Sequence, residues 1–247
     1  IIEYIVKEGK NLVLASQDIP ITERAYFFKQ ADVNIERGLK TIVRNFGEDH
    51  DLYSEEENFL FKKSKNLWIA DPISGTQSFL NGLPHYCLVI AHLIDGETKF
   101  ACIYDPSVDE LFTSYLGKGS FLNGKQISVS NGKKKVIVRG VMHYSDTDLV
   151  ERILSFTKQK FEVEKSYYSY AFDYCLVARG LIDGVISLTK DSFPEFAGSL
   201  IVKEAGGIFT NKKGNQALEE TDRVFVLGNK DIYLELFNII SDPHTLA

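Results

Sequence analysis

Two short segments carry residues whose types and spacing could do chemistry. One is Ser54-Glu55-Glu56-Glu57; the other, after a spacer, is Trp68-Ile69-Ala70-Asp71-Pro72-Ile73-Ser74-Gly75-Thr76. An apolar strand that stops on a carboxylate presents it at the rim of a sheet, where a hard cation can collect oxygen ligands. Pro72 stiffens the turn and has no N–H. Gly75 lets backbone amides approach an anion closely, and Thr76 would stand near a helix N-terminus, a natural seat for phosphate. A carboxylate-bound Mg²⁺ beside such a nest makes a phosphoryl-transfer site. The same residues also have a plainer reading, with Asp-Pro as a turn and the glutamates as a solvated acidic loop.

Five blocks in chain order resemble the inositol monophosphatase family. Trp68–Phe79, WIADPISGTQSF, is similar to that family's W-x-x-D-P-[LI]-D-G-T-x-[NS]-[FY]. Gly117–Gly124 resembles its G-x-G-A-x-x-N-G turn, and Leu200–Gly207 its I-V-x-E-A-G-G helix end. Ser54-Glu55-Glu56 resembles its [GS]-E-E, and Gln30-Ala31-Asp32 its T-x-A-D; the bacterial extragenic-suppressor branch is the nearest in kind. The resemblance implies a layered αβαβα fold of mixed α/β (α+β) class, commonly dimeric. It also implies Mg²⁺-dependent hydrolysis of a small phosphorylated metabolite, such as inositol-1-phosphate or a related sugar or nucleotide phosphate. Carried over position by position, it implies Glu55, Asp71 and the backbone carbonyl of Ile73 as metal ligands. Thr76 and Glu55 would orient the attacking water, the Gly75 and Thr76 amides would contact phosphate, and Asp32 would be an outer carboxylate. For the extragenic-suppressor branch a transcription-related protein partner is implied as well.

Three positions depart from the family pattern. Ser74 replaces the signature's second Asp, and Phe193-Pro194-Glu195-Phe196-Ala197 replaces W-D-x-A-[AG], which puts Pro194 where an aspartate belongs. Ser187 aligns with a carboxylate that contacts sugar hydroxyls. Serine is a neutral, weak Mg²⁺ ligand and proline has no side-chain ligand, so one ion is implied rather than two or three. The second metal clamps the leaving-group oxygen, and losing several kcal/mol there slows turnover on the order of a thousandfold. Glu195 could restore a carboxylate, although one step along a helix turns a side chain by about 100°. It could equally just favour a helix N-terminus, with Pro194 at the first helical position. Three functions stay open: a weakened phosphomonoesterase, a catalytically inactive relative that binds and regulates, or a dimeric scaffold with no ligand.

The elements that must position these residues follow from apolar spacing. Residues 1–17 predict a helix, Ile19–Gln30 an irregular stretch, and Ile35, Leu39, Ile42, Val43 and Phe46 a second helix, with Asp32 at its entrance near the N-cap and Gly47 at its end. After an acidic loop, Leu67–Ala70 predicts a strand that stops at Asp71-Pro72. Strands are predicted at Tyr86–Ile94, Lys99–Tyr104, Glu110–Tyr115, Gln126–Val129 and Val136–Val141, with turns at Asp95-Gly96 and Asn123-Gly124. The second half alternates: a helix at Tyr168–Arg179, a strand at Gly184–Leu188, a helix at Phe196–Ala205, a strand at Val224–Leu227, and a last helix capped by Asp231 and running through Ile240. This predicts a single domain over 1–247 with lobes of about 1–133 and 134–247. Glu56 and Glu57 read as solvated, Trp68 as core, His85 and His92 as packing residues, and Asp183-Gly184 and Asn229 as turn residues.

Composition narrows the function classes. With 28 basic and 34 acidic residues the net charge is −6, against a partner that is a nucleic-acid backbone. The three cysteines, Cys87, Cys102 and Cys175, are unclustered, which excludes a CxxC zinc site and fits a reducing, cytoplasmic setting. The longest nearly uncharged apolar run, around Tyr86–Ile94, is far short of the ~20 residues of a membrane span, and Ile1-Ile2-Glu3-Tyr4 lacks the basic start of a signal peptide.

Overall fold

Alternating side chains along each strand and apolar stripes on each helix sort the chain into five layers. The computed structural model describes residues 1–57, 61, 64–132, 134–140, 146–166 and 169–241. Two helices open it, α1 (Ile2–Ser16) and α2 (Arg24–Arg44). They cover a seven-stranded sheet built in sequence order from β1 (His50–Ser54), β2 (Asn66–Ser74), β3 (Cys87–Ile94), β4 (Glu97–Asp105), β5 (Glu110–Tyr115), β6 (Gly119–Leu122) and β7 (Lys125–Ile127). The short helix α3 (Thr76–Leu80) follows β2. The β1–β2 pair is parallel and the other pairs of this sheet are antiparallel.

Five more strands make a second, mixed sheet in the order β11-β12-β10-β8-β9: β8 (Lys135–Arg139), β9 (Glu162–Glu164), β10 (Gly184–Leu188), β11 (Ile208–Asn211) and β12 (Val224–Gly228). The helices of this half are α4 (Thr147–Lys160), α5 (Tyr170–Ala178), α6 (Phe193–Glu204) and α7 (Lys230–Ser241).

Period-two alternation explains the layering. On β2, Trp68 and Ala70 pack with Ile5, Leu12, Ile35 and Leu39 of the first helix pair. Leu67 and Ile69 point the other way, into a core with α5, α6 and the inner face of the second sheet, where Val185, Phe225 and Leu227 meet them. Ile186, Val224 and Val226 face outward onto Ile153 of α4 and Ile232, Leu236 and Ile239 of α7. The layers therefore read helix, sheet, helix, sheet, helix, the αβαβα order expected. Because both sheets are covered on both faces, strands such as Cys87–Ile94 are nearly all apolar.

Several local expectations change. The stretch after Pro20 is a 3-10 turn over Ile21–Glu23 that runs directly into α2. Asp32 is thus inside α2 rather than at its N-cap, on the buried face with Phe28, Ile35, Glu36, Leu39 and Val43. The acidic loop begins with a strand, β1, and β2 does not stop at Asp71 but continues to Ser74 through a register shift. α6 starts at Phe193, so Pro194 takes the second helical position instead of the first. The last helix is capped by Asn229, whose Oδ1 accepts from the Ile232 N–H at 3.0 Å, and not by Asp231. Asp183 and Asn229 are more than turn residues: the Asp183 carboxylate accepts from Ser130 and the Lys134 and Lys135 amides, and the Asn229 amide donates to the Gly132 carbonyl. Tyr167, Tyr168, Lys133 and Val141 lie outside the described residues.

Candidate active site

The parallel pairing of β1 and β2 ends in register at Ser54 and Ala70, so Glu55, the first residue past β1, comes beside Asp71 on β2. Just beyond, Asp71 pairs with Val89 and Ser74 with Cys87, three residues on β2 against two on β3. That is a bulge, and bulges re-aim side chains and tolerate a proline that cannot donate to the ladder, here Pro72. Gly75 then takes the left-handed conformation at φ 98°. A Cβ there would stand 2.8 Å from Ser169 Cβ and 3.3 Å from Tyr86 Cα, so both backbone angle and space demand glycine. Thr76 opens α3 directly after it.

These residues line a cleft of about 580 Å³ together with Glu55, Ile73, Gln77 and Ser78 on one wall. Arg139, Ser166, Ser169, Tyr170, Thr189, Lys190, Asp191, Pro194 and Glu195 line the other. Of the positions singled out in the sequence, Glu55, Asp71, Ile73, Ser74, Gly75, Thr76, Pro194 and Glu195 all reach it. Asp32 stands behind it on α2, and Ser187 is fully buried in β10, outside the lining, where its hydroxyl is 3.0 Å from Tyr174 Oη.

The first wall is crowded with acid. Asp71 is buried and its Oδ1 has no hydrogen-bond partner. Burial holds its carboxyl well above the usual carboxylate range, and Glu55, Asp32 and Asp191 add to this, while the neighbouring Ser74 hydroxyl opposes the shift. Asp32 Oδ1 is also buried without a partner. Burial, then a hydrogen bond and charge from Glu56, push Asp32 up to about 9. Partial burial, followed by the charges of Asp191, Glu56 and Glu36, pushes Glu55 up to about 7. Glu56 is half-buried and its charge bears on Asp32 and Glu55, whereas Glu57 faces solvent, in an ion pair with Arg37.

Four residues in and around the cleft were not foreseen. Glu36, one helical turn after Asp32, is fully buried and accepts the backbone N–H groups of Glu56 at 2.9 Å and Glu57 at 2.8 Å, which fixes the loop that carries Glu55. The signal was present in the i, i+4 spacing of two acids on an apolar stripe. Asp191 comes from the loop between β10 and α6, where no periodicity marks it. Arg139 lies 3.4 Å from the centre of the Tyr170 ring, donates to the Ser169 carbonyl at 3.0 Å and pairs with buried Asp173. Tyr174 donates to Glu195 Oε1 at 2.7 Å. His85 and His92 pack as expected: His85 bonds Asp105 at 2.7 Å, and His92 stacks on Trp68 at 4.1 Å.

Among the described residues, no three His, Cys, Asp or Glu side chains stand arranged to hold a metal ion. The donor set nevertheless fits a hard cation. Two buried carboxylate oxygens, Asp71 Oδ1 and Asp32 Oδ1, lack any partner, and the charges that act on Asp71 are all of one sign.

Comparison with known proteins gives the family and the fold. A model of the inositol monophosphatase family matches residues 6–241. The chain is 28% identical to a Thermotoga maritima fructose-1,6-bisphosphatase/inositol-1-monophosphatase, over 98% of this chain and 94% of that one. It is 31% identical to the Nus factor SuhB of Vibrio cholerae, over 76% of this chain and 73% of that one. The crystal structure of the extragenic suppressor protein SuhB from Bartonella henselae superposes with a TM-score of 0.84 at 25% identity, covering 98% of this chain and 97% of that one.

Proposed function

This chain belongs to the inositol monophosphatase family, and from that premise we propose that it is a metal-dependent phosphomonoesterase acting on inositol-1-phosphate or a related small sugar or nucleotide phosphate. One observation carries the reading. Asp71 is a buried carboxylate with an unpartnered oxygen, held at a bulge beside Glu55 and four residues ahead of the left-handed Gly75. Burying like charges together is unfavourable unless something positive joins them. Glu55, Asp71 and the Ile73 carbonyl would hold Mg²⁺, with Asp32 as an outer carboxylate. When bound, the ion would supply Lewis-acid polarisation of a phosphoryl oxygen and lower the pKa of water.

The chain's own groups do the rest. The amides of Gly75 and Thr76 bind the phosphate, and the left-handed Gly75, with no room for a Cβ beside Ser169, holds that turn. The Thr76 hydroxyl and Glu55 orient the attacking water. Ser74 is a neutral, weak ligand and Pro194 offers none, so the site holds one ion rather than two or three, and turnover is slow. The active form is a homodimer, by family likeness.

A second reading, a non-catalytic relative that binds and regulates, is favoured by the replacement of carboxylates at Ser74, Pro194 and Ser187, three positions that serve one site. Relatives called Nus factor SuhB support a transcription-related protein partner for such a role.

The deciding experiment is Mg²⁺-dependent phosphate release from inositol-1-phosphate, fructose-1,6-bisphosphate and 3′-phosphoadenosine-5′-phosphate, with Asp71→Asn as control. Release that needs metal and vanishes in Asp71→Asn supports the phosphatase. No release above the control from folded protein refutes it in favour of the regulatory reading.

A further inference from the structure

The turn at Gly75 rests on two stretches of backbone. A Cβ there would lie 2.8 Å from Ser169 Cβ, 3.2 Å from Ser169 Cα and 3.3 Å from Tyr86 Cα. Ser169 lines the cleft and caps α5, where its Oγ accepts the Phe172 N–H at 3.0 Å. Tyr86 stands just before β3. A hydrogen bond ties these two stretches together, from the Ser169 N–H to the His85 carbonyl at 3.0 Å.

His85 makes that bond from a conformation few side chains adopt. Its φ is +65°, in the left-handed region. Such backbone persists only where the surroundings over-determine it, and here they do. The buried Asp105 carboxylate holds the ring, with Nδ1 and Oδ2 2.7 Å apart. A carboxylate only accepts, so Nδ1 carries the hydrogen. Asp105 Oδ1 accepts the Ser107 N–H at 2.9 Å and the Ser107 hydroxyl at 2.6 Å, and Ser107 Oγ in turn accepts the His85 N–H at 3.0 Å. The ring lies nearly flat on Phe172 of α5, at 4.1 Å and 15°. Residues at the end of β4 therefore grip both the ring and the backbone of His85, and this aims its carbonyl at Ser169.

We propose that Asp105 and His85 are positioning residues for the phosphate: through the Ser169 bond they hold the second wall against Gly75, and so fix the Gly75 and Thr76 amides in the geometry that receives the anion. This rests on the phosphatase reading for the placement of phosphate at that turn. The cation side is held independently, because Glu55 and Asp71 are brought together by the β1–β2 register. Loosening His85 therefore costs phosphate affinity and spares the metal.

The test measures Kd for inorganic phosphate in saturating Mg²⁺, by phosphorus NMR titration, and Kd for Mg²⁺ alone, by calorimetry. His85→Ala loses the Asp105 bond and lets φ relax; it is expected to weaken phosphate about tenfold or more, as for loss of a hydrogen bond to a charged group, with Mg²⁺ affinity kept. His85→Asn is expected to restore phosphate affinity, since asparagine tolerates left-handed φ and offers Asp105 a side-chain N–H. Unchanged phosphate affinity in His85→Ala, a parallel loss of Mg²⁺, or an equal loss in His85→Asn overturns the proposal. If His85→Ala fails to fold, Ser107→Ala, which removes only the acceptor of the His85 N–H and one donor to Asp105, is expected to show a smaller loss of phosphate with Mg²⁺ affinity kept; no loss, or loss of both, overturns the proposal there too. A wild-type chain that binds Mg²⁺ but no phosphate refutes the phosphate turn itself, an outcome separate from failure of His85 alone.

Discussion

Glu36 touches neither cleft nor ligand, yet replacing it should impair the site. Its carboxylate accepts two successive backbone N–H groups, from Glu56 at 2.9 Å and Glu57 at 2.8 Å, directly after Glu55. In Glu36→Gln one oxygen still accepts, but the new NH₂ faces a second N–H donor, so one bond is lost and a buried donor is stranded. A hydrogen bond to a charged group contributes about 1.5–3 kcal/mol. Against this, removing the charge relieves Asp32 and Glu55, for both of which Glu36 is the last and smallest of the raising influences. The lost bond should win, with a net destabilisation of about 1–2 kcal/mol and a melting point lower by roughly 2–8 °C.

Because the loop that holds Glu55 is what loosens, metal-dependent phosphate release should fall about tenfold, mainly in kcat, with KM for inositol-1-phosphate little changed. Amide exchange at Glu56 and Glu57 should speed up by a similar factor, and that readout does not depend on activity. Slow exchange at both amides together with wild-type turnover would refute the positioning role.

Acidity gives a second prediction. Asp32, Glu55 and Glu195 have folded-state values raised to about 9, 7 and 8, above those of the unfolded chain. Their stabilising contribution is therefore complete below the ordinary carboxylate range and is lost as pH rises through 7–9. Metal-free protein in chelator should melt lower at pH 9 than at pH 6, and Mg²⁺ binding should release protons, visible as a buffer-dependent binding enthalpy. In Gly75→Ala, a left-handed φ of 98° and a Cβ 2.8 Å from Ser169 Cβ combine, at a cost of about 2–4 kcal/mol. Thermal melts should fall by roughly 4–16 °C, and wild-type stability would refute the steric account.

Much of this molecule is written locally. Asp95-Gly96 takes positive φ at both residues, 51° and 81°, as a two-residue hairpin turn requires, and Asn123-Gly124 does the same at 47° and 78°. The alternation on β2 and the apolar run of β3 mark strands covered on two faces, and five short blocks suffice for the family and its layered fold. Asp71, Gly75 and Thr76 are adjacent in the chain, so their proximity needed no tertiary information.

What only the tertiary structure decided involves partners far apart in sequence. The start of α2 at Arg24 is masked by the mixed polar and aromatic residues after Pro20, which show no clean helical period, and moving it there turns Asp32 from a cap into a buried acid beside Glu56. The parallel register that sets Glu55 beside Asp71 is a pairing across a loop, which no hydrophobic period specifies. Asp191 and Glu195 come to the cleft because α6 packs between the two sheets, and Tyr174 meets Glu195 across 21 residues. Periodicity reports which face of an element is apolar. It is silent on which polar groups from other elements arrive there, and in this protein the acids that arrive decide the chemistry.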